Sequence, residues 1–182
     1  RVGTSAGGAR PKAVVAYNKT TGDLRSGQVD APEGYEHWLL KLDGVDENNP
    51  GIYSETKNYG CLEYAYYKMV LDCGIDMMES RLLDDGNRHH FMTKRFDHIG
   101  GRHRVHMVSL CGMAHYDYNQ PDSWSYEQLF RVMRGLRLPQ AEMEQAYRRM
   151  VFNVVGCNQD DHTKNIEFLM DTDGIWKLSP AY

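Results

Sequence analysis

Between residues 140 and 178 a helical stripe of apolar residues runs straight into a polar loop, and the loop into a short hairpin. The stripe is Met143, Ala146, Tyr147, Met150, Val151, Val154 and Val155. Its i, i+3, i+4 spacing predicts a core-facing helix from about Gln140 to Gly156. The loop is Asn158-Gln159-Asp160-Asp161-His162-Thr163-Lys164-Asn165. Residues 166–170 and 175–178 then form the hairpin, turning through Asp171 to Gly174. A loop that leaves a helix and folds back before a strand brings Asp160 and Asn165 toward one point. That convergence restricts the fold more than any other stretch of the chain.

The residue types name a chemistry. Asp160 cannot stabilise a transferred phosphate directly, because like charges repel. It can orient a hydroxyl and take its proton, and Asn165 can offer Mg²⁺ a neutral oxygen. Protein kinases use an Asp and an Asn at this spacing in their catalytic loop. A polar loop that merely caps a domain is the plain alternative. The remaining segments decide between the two.

With 182 residues, the chain makes one domain or two small lobes that share an interface. Apolar residues make up 41%, enough for a core. Lys and Arg number 21 against 25 Asp and Glu, for a net charge of −4, which does not suit direct binding of nucleic acid or a membrane surface. Cys61, Cys73, Cys111 and Cys157 form no CxxC pair and read as reduced, mostly buried thiols of a cytoplasmic protein. No apolar run approaches a membrane span and no signal peptide stands out. The chain opens on Arg1 in a working loop and closes on Leu178-Ser179-Pro180-Ala181-Tyr182, so it reads as an interior piece of a longer protein.

Residues 3–12 are small and glycine-rich and lead into a strand, Lys12 to Tyr17. Thr20 to Asp23 make a turn, Leu24 to Val29 a second strand and Glu36 to Leu42 a third. In the third, alternation sets Trp38 and Leu40 on one face and Leu39 and Lys41 on the other. Residues 43–58 read as a polar connection. A helix from about Tyr59 to Cys73 carries the stripe Leu62, Ala65, Tyr66, Met69, Val70 and Cys73, with Gly74 as its stop. Glu79 to Leu83 and Phe91 to Phe96 flank Asp85-Gly86, a hairpin signal. Val105 to His115 reads as a helix start or helical turn. Ser125 and Gln128 form a capping box, with Trp124 and Leu129 placed for a hydrophobic staple, ahead of the stripe Leu129, Phe130, Met133 and Leu136.

Three further features fit a phosphotransferase. A glycine-rich loop lets backbone N–H groups approach phosphate, although a hairpin turn explains residues 3–9 as well, and no Gly-Lys-Ser/Thr follows as in a Walker A loop. Lys41 can reach nucleotide phosphates and pair with Glu63 in the next helix, the Lys–Glu pair of kinases. Residues 90–97 end the sheet where a kinase hinge presents its backbone to adenine, and Arg95 with Asp97 also fits a surface ion pair. The eight histidines include His89-His90 and His103 with His106, but no second pair completes a structural zinc site.

Ordered along the chain, Ser5-Ala6-Gly7-Gly8-Ala9-Arg10-Pro11-Lys12, His90 to Asp97, Asn158 to Asn165 and Leu178 to Tyr182 resemble the HipA family of serine/threonine kinases, toxins of bacterial toxin–antitoxin modules. The resemblance covers nearly the whole chain. It implies an α+β, two-lobed protein-kinase-like fold: an antiparallel N-lobe with one helix, residues 1–98, and part of a helical C-lobe, residues 99–182. It implies Asp160 as catalytic Asp, Asn165 as Mg²⁺ ligand, and His162 and Lys164 nearest the nucleotide phosphates. Lys41 matches the N-lobe Lys. Lys94, Arg95 and Phe96 match the hinge, and Asp97 a nucleotide contact after it. Gly7 and Gly8 lie in the ATP loop, and Ser5 matches a serine that such kinases phosphorylate on themselves, which would eject the loop by charge repulsion. ATP and Mg²⁺ are the implied cofactors. A DNA-binding antitoxin and a protein substrate, with an aminoacyl-tRNA synthetase among the family's targets, are the implied partners.

Two departures stand out. Lys94 occupies a hinge position where relatives can carry an acid. The family's second metal ligand, an Asp directly after the Pro-x-Tyr, falls just beyond Tyr182, so the expectation assigns kinase activity to the parent protein and an impaired Mg²⁺ site to this stretch alone. A small-molecule phosphotransferase shares the Asp-x4-Asn loop, but the Ser5 loop and the Phe96-Asp97 hinge argue against it. A non-catalytic module that binds nucleotide or antitoxin is the remaining alternative.

Overall fold

The computed structural model describes residues 12–28, 30–44, 58–99, 103–117 and 124–182. The glycine-rich loop, with Ser5, Gly7 and Gly8, lies outside the described residues, as do Val29 and most of the 43–58 connection. The chain divides into two compact units. One comprises Arg1–Met69, Met77–Arg104 and Tyr182, the other Val70–Asp76 and Val105–Ala181.

The first unit is built on a five-stranded antiparallel sheet in the order β2-β1-β3-β5-β4. Its strands are β1 (Lys12–Tyr17), β2 (Leu24–Ser26), β3 (Glu36–Lys41), β4 (Ser80–Asp84) and β5 (His89–Lys94), with α1 (Tyr59–Asp72) between β3 and β4. A two-stranded ribbon, β6 (His98–Ile99) with β7 (His103–Arg104), follows. Alternation along β3 holds: Trp38 and Leu40 join Val15 and Met92 in the core, and Lys41 points away from it. Trp38 is fully buried, edge-on to Tyr17.

Two local readings change. The hairpin around Asp85-Gly86 forms, with strand bounds shifted from those expected. Asp84 pairs with His89, so four residues span the gap, and the Asp85 carboxylate accepts the N–H groups of Asn87 and Arg88 at 3.0 and 2.8 Å. That Asx-type bridge moves both strands by a residue or two from the predicted bounds. On α1 only Val70 of the predicted stripe is buried; Leu62 and Met69 are about half exposed. The helix instead meets the sheet through Gly60, where an added Cβ would sit 1.9 Å from the His89 carbonyl oxygen. Gly74, at φ +67°, stops the helix as its sequence suggests.

The second unit packs α2 (Leu110–Ala114), α3 (Tyr126–Gly135) and α4 (Gln140–Val155) with a three-stranded antiparallel sheet in the order β10-β9-β8. Its strands are β8 (His106–Ser109), β9 (Glu167–Met170) and β10 (Trp176–Leu178). The core is Leu110, Leu129, Met133, Leu138, Ala146, Phe168 and Leu178. The capping box of α3 forms, with Ser125 N–H donating to Gln128 Oε1 at 2.7 Å. The closing hairpin forms as expected. Of the helix start or helical turn expected at Val105 to His115, α2 forms, but its first part is strand β8, because β9 takes β8 as its second neighbour, a long-range pairing without local signal.

The α4 stripe is not core throughout. Ala146 is buried and Met143 packs on the core, but Tyr147, Val151, Val154 and Val155 are 41–77% exposed. The helix has the predicted period; among the described residues, nothing covers the C-terminal half of its apolar face. None of the four free cysteines is buried either: Cys73 and Cys157 are exposed, Cys61 and Cys111 half-buried.

Candidate active site

Helix α4 ends in a Schellman arrangement that launches the Asp160 loop. Cys157 N–H reaches the Val154 carbonyl at 3.3 Å and Asn158 N–H the Asn153 carbonyl at 2.9 Å. The left-handed residue is Cys157, at φ +53°, and not the adjacent Gly156. From there side chains hold the loop. Asn158 Nδ2 donates to Asn153 Oδ1 at 3.2 Å, and Asp160 N–H donates to Asn158 Oδ1 at 3.1 Å. Asn165 closes it: its Nδ2 donates to the Asp160 carbonyl at 2.6 Å, and its N–H to the His162 carbonyl at 2.9 Å. The loop thus folds the Asn165 amide back onto the Asp160 backbone.

The Asp160 side chain is 83% exposed, with His162 Nε2 at 3.3 Å from its Oδ1. His162 Nδ1 accepts from Lys164 N–H at 3.3 Å, so Nε2 is the nitrogen that carries the proton toward Asp160. Asp161, the neighbouring carboxylate, turns inward: its Oδ2 accepts from the Tyr126 hydroxyl at 2.5 Å, and Asn153 Nδ2 donates to the same phenol oxygen at 3.1 Å. Burial, then the Asp161 contact, push the Tyr126 phenol well above the usual range, so it stays a donor. Thr163 is fully buried and ties the loop to α2: its hydroxyl donates to the Tyr116 carbonyl at 3.3 Å, and its carbonyl accepts Cys111 N–H at 3.0 Å.

The same α4 fixes the segment after β10. Glu142 Oε2 accepts Leu178 N–H at 2.6 Å, and Arg149 Nη2 donates to the Ser179 carbonyl at 2.6 Å. Burial lowers the Arg149 pKa to about 10, which leaves it charged at neutral pH. Ala181 N–H donates to the Asp76 carbonyl at 2.9 Å.

In the first unit, Lys41 Nζ pairs with Glu63 Oε2, both about one quarter exposed, and stands 5.3 Å from the Phe91 ring centre. At the predicted hinge, Lys94 donates to Glu36 Oε1 at 2.5 Å, and Glu36 also takes Lys19 at 3.0 Å. Arg95 grips Asp97 with two hydrogen bonds, 2.9 and 2.6 Å, and His98 Nδ1 lies 3.2 Å from Asp97 Oδ1. Burial raises the Asp97 carboxyl, but the Arg95 hydrogen bonds and charge, helped by His98, outweigh it and hold the pKa below its ordinary 3.8. With only 14% of its side chain exposed, Asp97 is more enclosed than a loose surface ion pair. Arg95 N–H donates to the His37 carbonyl at 2.9 Å, and the Phe96 and Tyr182 rings pack 5.3 Å apart.

Among the described residues, no three His, Cys, Asp or Glu side chains converge on one point. A Mg²⁺ ion held mostly by phosphate and water needs only one or two protein oxygens. Asn165 suits that role: its Nδ2 is committed to the loop backbone, which leaves the oxygen side of the amide for a cation. Sequence reasoning missed Tyr126, Asn153, Asn158 and Arg149, which support the loop or the segment after β10. Long separations hid Tyr126, 35 positions from Asp161, and Arg149, 30 from Ser179 and 73 from Asp76, whereas the Asn153–Asn158 and Asn158–Asp160 bonds are local and carry no motif of their own.

A sequence model described as the HipA-like C-terminal domain matches residues 4–182. No curated protein matches the chain. Among solved structures, HipA of Shewanella oneidensis MR-1, in complex with HipB and its operator DNA, superposes with a TM-score of 0.68 at 20% identity over 98% of this chain and 42% of that one. The Helicobacter pylori proinflammatory kinase CtkA superposes with a TM-score of 0.55 at 15% identity over 99% of this chain and 55% of that one. The chain thus spans only about half of the length of either structure, and the likeness establishes a kinase-like fold.

Proposed function

Because the chain belongs to the HipA-like C-terminal domain family, we propose that its protein is an ATP- and Mg²⁺-dependent serine/threonine kinase, acting in the cytoplasm, that phosphorylates Ser5 of its own glycine-rich loop. What carries this reading is the closed Asp160 loop: Asn165 folds back onto the Asp160 carbonyl at 2.6 Å while the Asp160 carboxylate stays 83% exposed. An exposed carboxylate on a backbone fixed from both sides is suited to meeting a substrate hydroxyl. The Lys41–Glu63 pair supports it, since a lysine held by a carboxylate is pre-oriented for a nucleotide's phosphates.

In this account Asp160 orients the attacking hydroxyl and accepts its proton. His162 Nε2–H steadies one carboxylate oxygen and leaves the other for the hydroxyl. Lys41 and Lys164 offer positive charge to the phosphates, and Asn165 would hold the Mg²⁺, whose charge offsets that of the phosphate oxygens when bound. Lys94, Arg95, Phe96 and Asp97 form the hinge. Asp97 shapes it mainly through Arg95, because both its oxygens are already engaged. Gly7 and Gly8 would cover the nucleotide.

The Shewanella oneidensis HipA is seen with HipB and operator DNA, and CtkA is named a kinase. We extend that to a DNA-binding antitoxin as partner here, with a protein target of the aminoacyl-tRNA synthetase class. The test is phosphopeptide mapping of the full-length protein after incubation with Mg²⁺-ATP, beside Asp160→Ala. Phosphate on Ser5 in the first and none in the second is expected. No phosphate in either, with ATP bound, would sink autophosphorylation and leave a binding module.

A further inference from the structure

Asp160 sits in a closed ring of hydrogen bonds. Starting at α3, the Tyr126 phenol oxygen accepts from Asn153 Nδ2 at 3.1 Å. Asn153 Oδ1 accepts from Asn158 Nδ2 at 3.2 Å, and Asn158 Oδ1 accepts the N–H of Asp160 itself at 3.1 Å. One peptide further on, the Asp161 carboxylate returns to the Tyr126 hydroxyl at 2.5 Å. The ring thus pins the backbone on both sides of Asp160, and Asn165 pins its carbonyl from a third direction. The Asp160 carboxylate is left with its side-chain torsions as its main freedom.

The anchor of this ring is well founded. Tyr126 opens α3, and its ring packs against the second unit's core beside Trp124, at 5.1 Å between ring centres. Asn153 belongs to the last turn of α4. Two helices therefore hold one loop through a single phenol. Asp161, half-buried like Tyr126, makes no apolar contact with that core. Its inward turn costs a carboxylate some of its water, which a loop with no positional demand would not require.

We infer that Tyr126 is a positioning residue for the phosphoryl-transfer site: through Asp161 it sets where the Asp160 carboxylate stands. This rests on the kinase reading above. A half-buried phenol that only stabilised the fold would change the unfolding temperature when altered. One that positions Asp160 changes turnover more than substrate affinity, because small displacements of a catalytic group are costly in rate.

The experiment uses the full-length protein. Tyr126→Phe keeps the ring and removes the hydroxyl. It is expected to lower kcat roughly ten- to a hundredfold while the KM for ATP stays within about twofold. Asp161→Ala removes the same contact from the loop side without disturbing the core, and should match it. Asp161→Asn keeps an acceptor for the phenol and should retain most of the wild-type kcat. Tyr126→Phe combined with Asp161→Ala should lose no more than the worse single variant, since both act on one contact. An unchanged kcat, equal losses in kcat and affinity, or losses that multiply in the double variant would each overturn the inference. A second readout separates it from the kinase reading. Amide hydrogen exchange across Asp160 to Asn165 should quicken in Tyr126→Phe. If the wild type transfers no phosphate but exchange quickens, the kinase reading fails and the positioning contact stands. If exchange is unchanged, the contact itself is refuted.

Discussion

Single residues decide two features of this chain that its motifs do not announce. Cys157 holds φ +53°, a conformation in which a side chain is strained and glycine is not, although Gly156 stands next to it. Cys157→Gly should therefore raise stability by about 0.5–1 kcal/mol, visible as a higher Tm of the full-length protein. An unchanged or lower Tm would mean that the strain is offset elsewhere in the loop. Asp97 gives a pH test. Its folded pKa lies below the ordinary 3.8, so its pairing with Arg95 is fully present above that value and fades as pH falls through the folded one. The stability gap between wild type and Asp97→Asn should be constant near neutrality and shrink below about pH 4. Denaturant titrations at several acidic pH values check this; a gap that widens on acidification would contradict it.

Among elements, strands and helices were largely legible, and what they touch was not. The strand Lys12 to Tyr17 and the alternation of Trp38 and Leu40 against Leu39 and Lys41 follow from a period of two, although Ala16 and His37 on the opposite face are buried as well. The Asp160 loop was legible because its residues are local. The burial of helix faces was not. Periodicity announces a stripe on α1 and α4 but does not say what covers it, and both stripes are largely exposed. β8 stands where the sequence suggests a helix start or turn, because its pairing partner β9 lies some 60 positions on, as His106 with Met170 shows. Two predictions belong here. Gly60→Ala should cost about 1–3 kcal/mol, since its Cβ would overlap the His89 carbonyl oxygen of β5. Arg149→Met should cost about 2 kcal/mol by stranding the Ser179 carbonyl that α4 now holds. Chemical denaturation measures both. A neutral Gly60→Ala would show that α1 shifts freely on the sheet, and a neutral Arg149→Met that the segment after β10 needs no anchor.

For the whole molecule, the family assignment and the kinase-like fold rest on a match along nearly the entire chain. The first unit holds a lysine paired with a carboxylate, and the second an Asp–Asn loop braced by α3 and α4. On the proposed reading, Asp160 is the group that meets the substrate hydroxyl. The measurement that tests this most directly is single-turnover transfer from γ-labelled ATP by the full-length protein, with nucleotide affinity measured alongside, for wild type and Asp160→Ala. The account predicts a loss of transfer of about a thousandfold or more with ATP affinity nearly unchanged. Equal transfer by the two proteins would contradict it, because Asp160 would then have no part in the reaction.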